Sequence, residues 1–118
     1  MFKKIDYIML HVNNMGKSLN FYHHTLGFPI KFESENWSEL DTGTTTLALH
    51  FTKETVNPSK FLSFGFNVDN IKESFDRLIA SGAKLNRNIE EEGEGLLLAS
   101  FKDPDGHVFW IAQYTKTQ

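Results

Sequence analysis

The sequence predicts an α+β fold built from two βαβββ modules in tandem, and three observations carry that reading. The chain repeats itself, each half passes from alternating to helical spacing of its apolar residues at an asparagine, and each half ends in three short extended runs parted by turn residues. Laying the chain over itself so that Ile8 meets Phe64 aligns Ile8-Met9-Leu10-His11-Val12-Asn13-Asn14-Met15 with Phe64-Gly65-Phe66-Asn67-Val68-Asp69-Asn70-Ile71. Identity is thin, yet the apolar positions agree: 8, 10, 12, 15, 19 and 22 against 64, 66, 68, 71, 75 and 78. An internal repeat of this kind decides the architecture before any single element is judged.

Each element has a local cause. Ile8, Leu10 and Val12 alternate, which makes a strand with one buried face; Asn14 then caps a helix whose apolar stripe is Met15, Leu19, Tyr22 and Leu26, and Gly27 ends it. Three extended runs follow, Pro29 to Glu33, Trp37 to Asp41 and Thr45 to Thr52, separated by Ser34-Glu35-Asn36 and Thr42-Gly43-Thr44. In the second half Phe64, Phe66 and Val68 alternate. Asn70 with Glu73 makes a capping-box pattern, Ile71, Phe75, Leu78 and Ile79 form the stripe, and Gly82 supplies the left-handed stop. The runs Lys84 to Ile89, Leu96 to Lys102 and His107 to Tyr114 complete the module, with turns at Glu90 to Gly95 and at Asp103-Pro104-Asp105-Gly106. The chain therefore reads as one domain over residues 1–118: module 1 over about 1–52, a linker over 53–60 containing Asn57-Pro58-Ser59, and module 2 over about 61–118. A sheet covered by one helix leaves its other face open, so two such sheets are expected to cooperate.

Composition narrows the function classes. The 118 residues carry 12 Lys plus Arg against 15 Asp plus Glu, a formal charge of −3, with no basic stripe to bind a phosphate backbone, so nucleic acid is not an expected partner. No window approaches the ~18 consecutive apolar residues of a membrane span. Met1-Phe2-Lys3-Lys4-Ile5-Asp6 runs into charge where a signal peptide would have its apolar stretch, so neither a membrane nor export is expected and the cytoplasm is the default location. The absence of Cys removes disulfides, thiol nucleophiles, Cys-type zinc sites and iron–sulfur clusters together. A 14% aromatic content with eleven Phe fits either a Phe-rich core or an aromatic-lined pocket.

The segment from Ile8 through Asn14, Ser18, Phe21-Tyr22 and Leu26-Gly27-Phe28, its echo Val68-Asp69-Asn70, and Phe101-Lys102-Asp103-Pro104-Asp105-Gly106-His107 resemble the vicinal-oxygen-chelate superfamily of glyoxalase I, extradiol dioxygenases and the fosfomycin and bleomycin resistance proteins. The resemblance implies that the two modules form a curved, cup-like mixed sheet with helices outside and the ligand in the concave face, usually in a homodimer. It also implies metal-ligand positions in the active members, at the start of each module's first strand and on each module's fourth strand. These fall on Tyr7, Ser63, Ala48 and Trp110.

A phenol, a hydroxyl, a methyl and an indole do not supply the three or so N or O donors, commonly including a carboxylate, that a catalytic Zn, Mn, Ni or Fe ion takes. The expectation is therefore a metal-free member with no cofactor. An alternative moves the ligand positions along their strands, by four residues from Tyr7 to His11 and by two from Ala48 to His50, with Glu39 as a third donor. That reading is a glyoxalase- or dioxygenase-type enzyme with relocated ligands.

No other constellation points to a reaction. His23 and His24 fall in the last turns of the first helix, where a cation complements the dipole, and His107 flanks a turn. No Ser-His-Asp order or phosphate-cradling glycine loop occurs, and Glu90, Glu91, Glu92 and Glu94 read as a solvated acidic rim. With Tyr7, Met9, His11, Ala48, His50, Ser63, Gly65, Asn67, Val108 and Trp110 facing the concavity, the site would offer aromatic walls, small residues and a few hydrogen-bonding groups. Such a site suits a small planar or aromatic organic molecule. Trp37 stands just after a turn, at the mouth, at a dimer seam or on the open surface. The function expected is metal-independent binding that resembles the antibiotic-sequestering bleomycin resistance proteins.

Overall fold

A computed structural model describes residues 1–114; the last four positions of the range expected for module 2 lie outside the described residues. The chain divides into two compact units, Met1–Asn57 and Pro58–Gln118, parting inside the expected linker. The elements run β1 (Tyr7–Val12), α1 (Met15–Asn20), a π-helical turn (Phe21–Thr25), β2 (Ile30–Phe32), β3 (Trp37–Asp41) and β4 (Thr46–Phe51) in the first unit. In the second they run β5 (Phe64–Asn67), α2 (Ile71–Ala80), β6 (Lys84–Glu91), β7 (Leu96–Lys102) and β8 (Val108–Tyr114). The repeat read from the apolar pattern is thus a repeat of topology. The strand orders are β1-β4-β3-β2 and β5-β8-β7-β6, each with one parallel pair, β1 with β4 and β5 with β8, and two antiparallel pairs.

In the first sheet the side chains of Leu10, Val12, Leu40, Leu47 and Leu49 are buried on the face that carries the helical segment, where Leu19, Phe21 and Tyr22 are buried as well. Asn14 caps α1 through its side-chain oxygen, which accepts from the Lys17 backbone N–H at 3.0 Å. The sequence predicts one helix from Met15 to Leu26, and the structure corrects this. After Asn20 the turn widens, and the Leu26 backbone N–H reaches the Phe21 carbonyl at 3.0 Å in an i to i+5 bond. The consecutive rings of Phe21 and Tyr22 are both buried in the core. Gly27, at φ +89°, then turns the chain, and the Phe28 N–H bonds back to the Tyr22 carbonyl at 3.1 Å.

The second sheet buries an aromatic cluster. Phe109 lies between Phe64 and Phe101 in the strand register, with ring centroids 6.4 Å and 6.3 Å away, and Phe66 stands at 5.8 Å. Helix α2 covers this face with Ile71, Phe75 and Leu78; the Phe75 ring meets Phe101 edge-on at 5.4 Å. Asn70 accepts from the Glu73 N–H at 3.1 Å, and the side chain of Gln113 on β8 accepts from the Ile71 N–H at 2.7 Å, so two of the helix's orphan donors are satisfied. Strand β6 continues through Glu90 and Glu91, which pair with Leu98 and Leu97; the loop expected over Glu90 to Gly95 is correspondingly shorter.

The Asp103-Pro104-Asp105-Gly106 turn is held by its first residue. The Asp103 carboxylate is nearly buried and accepts from the N–H groups of Asp105 and His107, both at 2.9 Å. Asp103→Ala removes a charged acceptor from two backbone donors and is expected to lower stability by about 2–3 kcal/mol. Asp103→Asn, which keeps an acceptor oxygen, should lose less than half of that. Urea unfolding of both variants checks the ranking, and equal losses would refute the role given to the carboxylate oxygen.

Candidate ligand-binding faces

Strand register decides which side chains share the uncovered face of each sheet. In module 1, His11 pairs with His50 and His50 with Trp37; Met9 pairs with Ala48 and Ala48 with Glu39; Tyr7 pairs with Thr46 and Thr46 with Asp41. Side chains directly opposite in a ladder point the same way, so these form three rows on the face opposite the helix. Tyr7 and Met9 are exposed there, while Ala48 is wholly buried beneath its taller neighbours.

The rings on this face form a continuous cluster that joins two of the rows. His11 and His50 lie 5.3 Å apart by ring centroid, His50 and Trp37 5.6 Å, and Tyr7 meets Trp37 edge-on at 6.2 Å. Trp37 is fixed twice over. Its backbone N–H donates to Ser34 Oγ at 3.0 Å and its carbonyl accepts from the same hydroxyl at 2.6 Å, while the indole N–H donates to Glu39 Oε2 at 2.8 Å. Trp37 therefore belongs to the uncovered face, half-buried. Lys31 reaches over the same face to donate to Thr46 Oγ1 at 2.8 Å.

In module 2 the corresponding face holds Gly65 opposite Trp110, Trp110 opposite Ser100, and Ser100 opposite Arg87, with Asn67 opposite Ala112 and Lys102 opposite Val108. A Cβ built at Gly65 would lie 3.4 Å from Trp110 Cβ, in ordinary van der Waals contact. The segment from Pro58 to Ser63 lies along this face and, with Asn86, Arg87, Lys102 and Trp110, borders a cavity of about 670 Å³ that is open to solvent. Ser59 shapes the segment, its Oγ accepting from the N–H groups of Phe61 at 3.1 Å and Leu62 at 2.9 Å. Among the residues expected from the sequence, Ser63, Val108 and Trp110 line the cavity, Gly65 lies beside Trp110, and Asn67 stands apart from it.

Sequence reasoning did not find Lys60, Asn86, Arg87 and Lys102. Alternation from Trp110 places Val108 on the same face, as expected. Lys102 and Arg87 follow only once the pairings of β7 with β8 and with β6 are known.

The donor set in module 1 does not fit a catalytic metal. Among the described residues no group of three or more His, Cys, Asp or Glu is placed to hold an ion. His11 and His50 do stand side by side, but Glu39 lies in the neighbouring row opposite Ala48 and its carboxylate accepts from the Trp37 indole. At the other positions implied by resemblance, Tyr7, Ser63, Ala48 and Trp110 offer no imidazole or carboxylate. Among the described residues no helix is long and apolar enough to cross a membrane.

Comparison with known proteins agrees with the architecture. Residues 4–111 match the model of the Glyoxalase/Bleomycin resistance protein/Dioxygenase superfamily. The chain is 27% identical to the metallothiol transferase FosB of Shouchella clausii (strain KSM-K16), over 91% of this chain and 77% of that one. It is 30% identical to the protein YraH of Bacillus subtilis (strain 168), over 92% and 96% respectively. The crystal structure of TnmS3, an antibiotic binding protein from Streptomyces sp. CB03234, superposes with a TM-score of 0.80 at 22% identity, covering 97% of this chain and 98% of that one. With two βαβββ modules of identical strand order and a family match spanning nearly its whole length, the chain belongs to the glyoxalase/bleomycin resistance protein/dioxygenase superfamily.

Proposed function

We propose that this protein binds a small planar organic molecule without a metal ion, in the manner of the sequestering members of its superfamily. The observation that carries the reading is the aromatic cluster of Tyr7, Trp37, His50 and His11 on the uncovered face of module 1, at spacings of 5.3–6.2 Å. Rings at such distances provide faces and edges on which a flat ligand stacks, each good pair contributing about 0.5–1.5 kcal/mol beyond area burial. Trp110 offers a second such surface in module 2. The fold is shared with TnmS3, an antibiotic binding protein, which supports small-molecule binding. A homodimer is the setting we infer, from the superfamily's usual assembly.

A second reading, a metal-dependent enzyme, draws on the relation to a metallothiol transferase and on the adjacent imidazoles of His11 and His50. The two readings separate in one experiment. The chain has two tryptophans, one on the uncovered face of each sheet, so indole emission reports on both faces. Titration with a panel of planar aromatic compounds is expected to give saturable quenching that persists in EDTA, and stabilisation of about 2.7 kcal/mol at one hundred times the dissociation constant. Trp37→Phe and Trp110→Phe then assign the signal to a face. Calorimetric binding of Zn, Ni, Mn or Fe at one site per chain, lost in His50→Ala, would decide for the enzyme.

A further inference from the structure

We propose that the module 2 cavity takes the oxyanion of an aromatic ligand, a carboxylate or phosphate attached to a planar ring. The inference rests on the binding function proposed above and names its ligand class. The cavity is lined by three cationic side chains, Lys60, Arg87 and Lys102, against one carboxylate, that of Asp105. The protein as a whole is acidic at −3, so the cavity's charge is opposite to the molecule's. Among the described residues none of the three cations forms an ion pair, and the salt bridge between Lys72 and Asp76 lies elsewhere, on α2.

The arrangement also opposes like charges. Lys84 on β6 stands directly across from Lys102 on β7, a pairing that costs stability when nothing lies between the two ammonium groups. An oxyanion at this end of the sheet offsets that repulsion. Arg87 supplies the planar fork suited to two oxygens of one group, and the lysines supply point charges that adapt to it. Arg87, Ser100 and Trp110 lie in one cross-strand row, so a ligand stacked on the indole carries its substituent along the row toward the guanidinium. Ser100 is occupied by Asn86, whose Nδ2 donates to its hydroxyl at 2.9 Å. Ser100 is wholly buried and does not line the cavity, so the charged groups are the principal donors to an incoming anion.

Three probes test this on the full chain by titration calorimetry: 2-naphthoate, 2-naphthyl phosphate and the neutral 2-naphthalenemethanol. Both anions are expected to bind at least about tenfold more tightly than the alcohol, with affinity falling as salt rises. Arg87→Gln and Lys102→Gln should each cost about tenfold for the anions and leave the alcohol unchanged. The ratio of naphthoate to naphthyl phosphate affinity tells which oxyanion the cavity prefers. Arg87 is exposed, so its variant is expected to fold as the parent does. Equal affinity for all three probes, or anion binding indifferent to both variants, overturns the inference and leaves the binding function standing. If none of the three binds while another planar compound quenches Trp37 or Trp110, the inference falls alone; if nothing in the wider panel binds, both fall.

Discussion

Phe109→Ala is expected to lower the unfolding free energy by about 3–5 kcal/mol, a large share of the roughly 5–15 kcal/mol that holds an ordinary domain together. Phe109 is wholly buried at the centre of β8, with Phe64 and Phe101 paired to it from the strands on either side and Phe66 at 5.8 Å. Removing the ring strips contacts from three aromatic neighbours at once, and strands pinned by their ladders cannot close the gap. Phe109→Leu fills most of the volume and should recover more than half of the loss. Urea unfolding measures both, and a cost under about 1 kcal/mol for Phe109→Ala would mean that the cluster is not the core of module 2.

Tyr22→Ala is expected to cost a similar amount, about 3–5 kcal/mol, for a different combination of reasons. Its ring is wholly buried and meets Phe21 edge-on at 5.2 Å, and its hydroxyl is buried with it. Among the described residues no buried side-chain nitrogen or oxygen lacks a partner, so the phenol hydroxyl is bonded too. Tyr22→Phe isolates that hydroxyl and should cost about 1 kcal/mol. If the two variants lose equal stability, the ring has no packing role and the hydroxyl accounts for everything. Circular dichroism during the same unfolding experiment reports whether the helical turn is lost ahead of the sheet.

The elements that were legible are those whose pattern has a local physical cause. Trp37 to Asp41 and Leu96 to Lys102 are strands over the expected bounds because turn residues bracket them on both sides. Asn14 and Asn70 cap as expected because an N-cap needs only a side-chain oxygen and an extended backbone. The π-helical turn was not legible, since the spacing of Leu19, Tyr22 and Leu26 also fits an ordinary helix and a single i to i+5 turn leaves no periodicity of its own. The extension of β6 through Glu90 and Glu91 escaped for a related reason: ladder bonds to Leu98 and Leu97 outweigh the solvation preference of carboxylates, which remain exposed on an outer strand. The remaining turn is closed by Gly93, Glu94 and Gly95, all at positive φ.

The candidate site divides along the same line. Alternation along β1, β4 and β8 was enough to put Tyr7, Met9, His11, Ala48, His50 and Trp110 on uncovered faces. The basic wall of the module 2 cavity was not legible. The ladder shifts between Leu85 and Arg87, and only that bulge sets Arg87 across from Ser100 in line with Trp110. A register shift of one residue reverses which side chains face the cavity, and nothing in the composition of the segment announces it.

Strand β6 has a consequence beyond its part in the cavity. It is the last strand of its sheet, exposed along nearly its whole length, and it carries Lys84, Arg87, Glu90 and Glu91 with two breaks in its ladder. Charges and kinks of this kind keep an unpaired backbone edge from templating a strand of another molecule, so the side chains that make the cavity basic also guard the protein against aggregation.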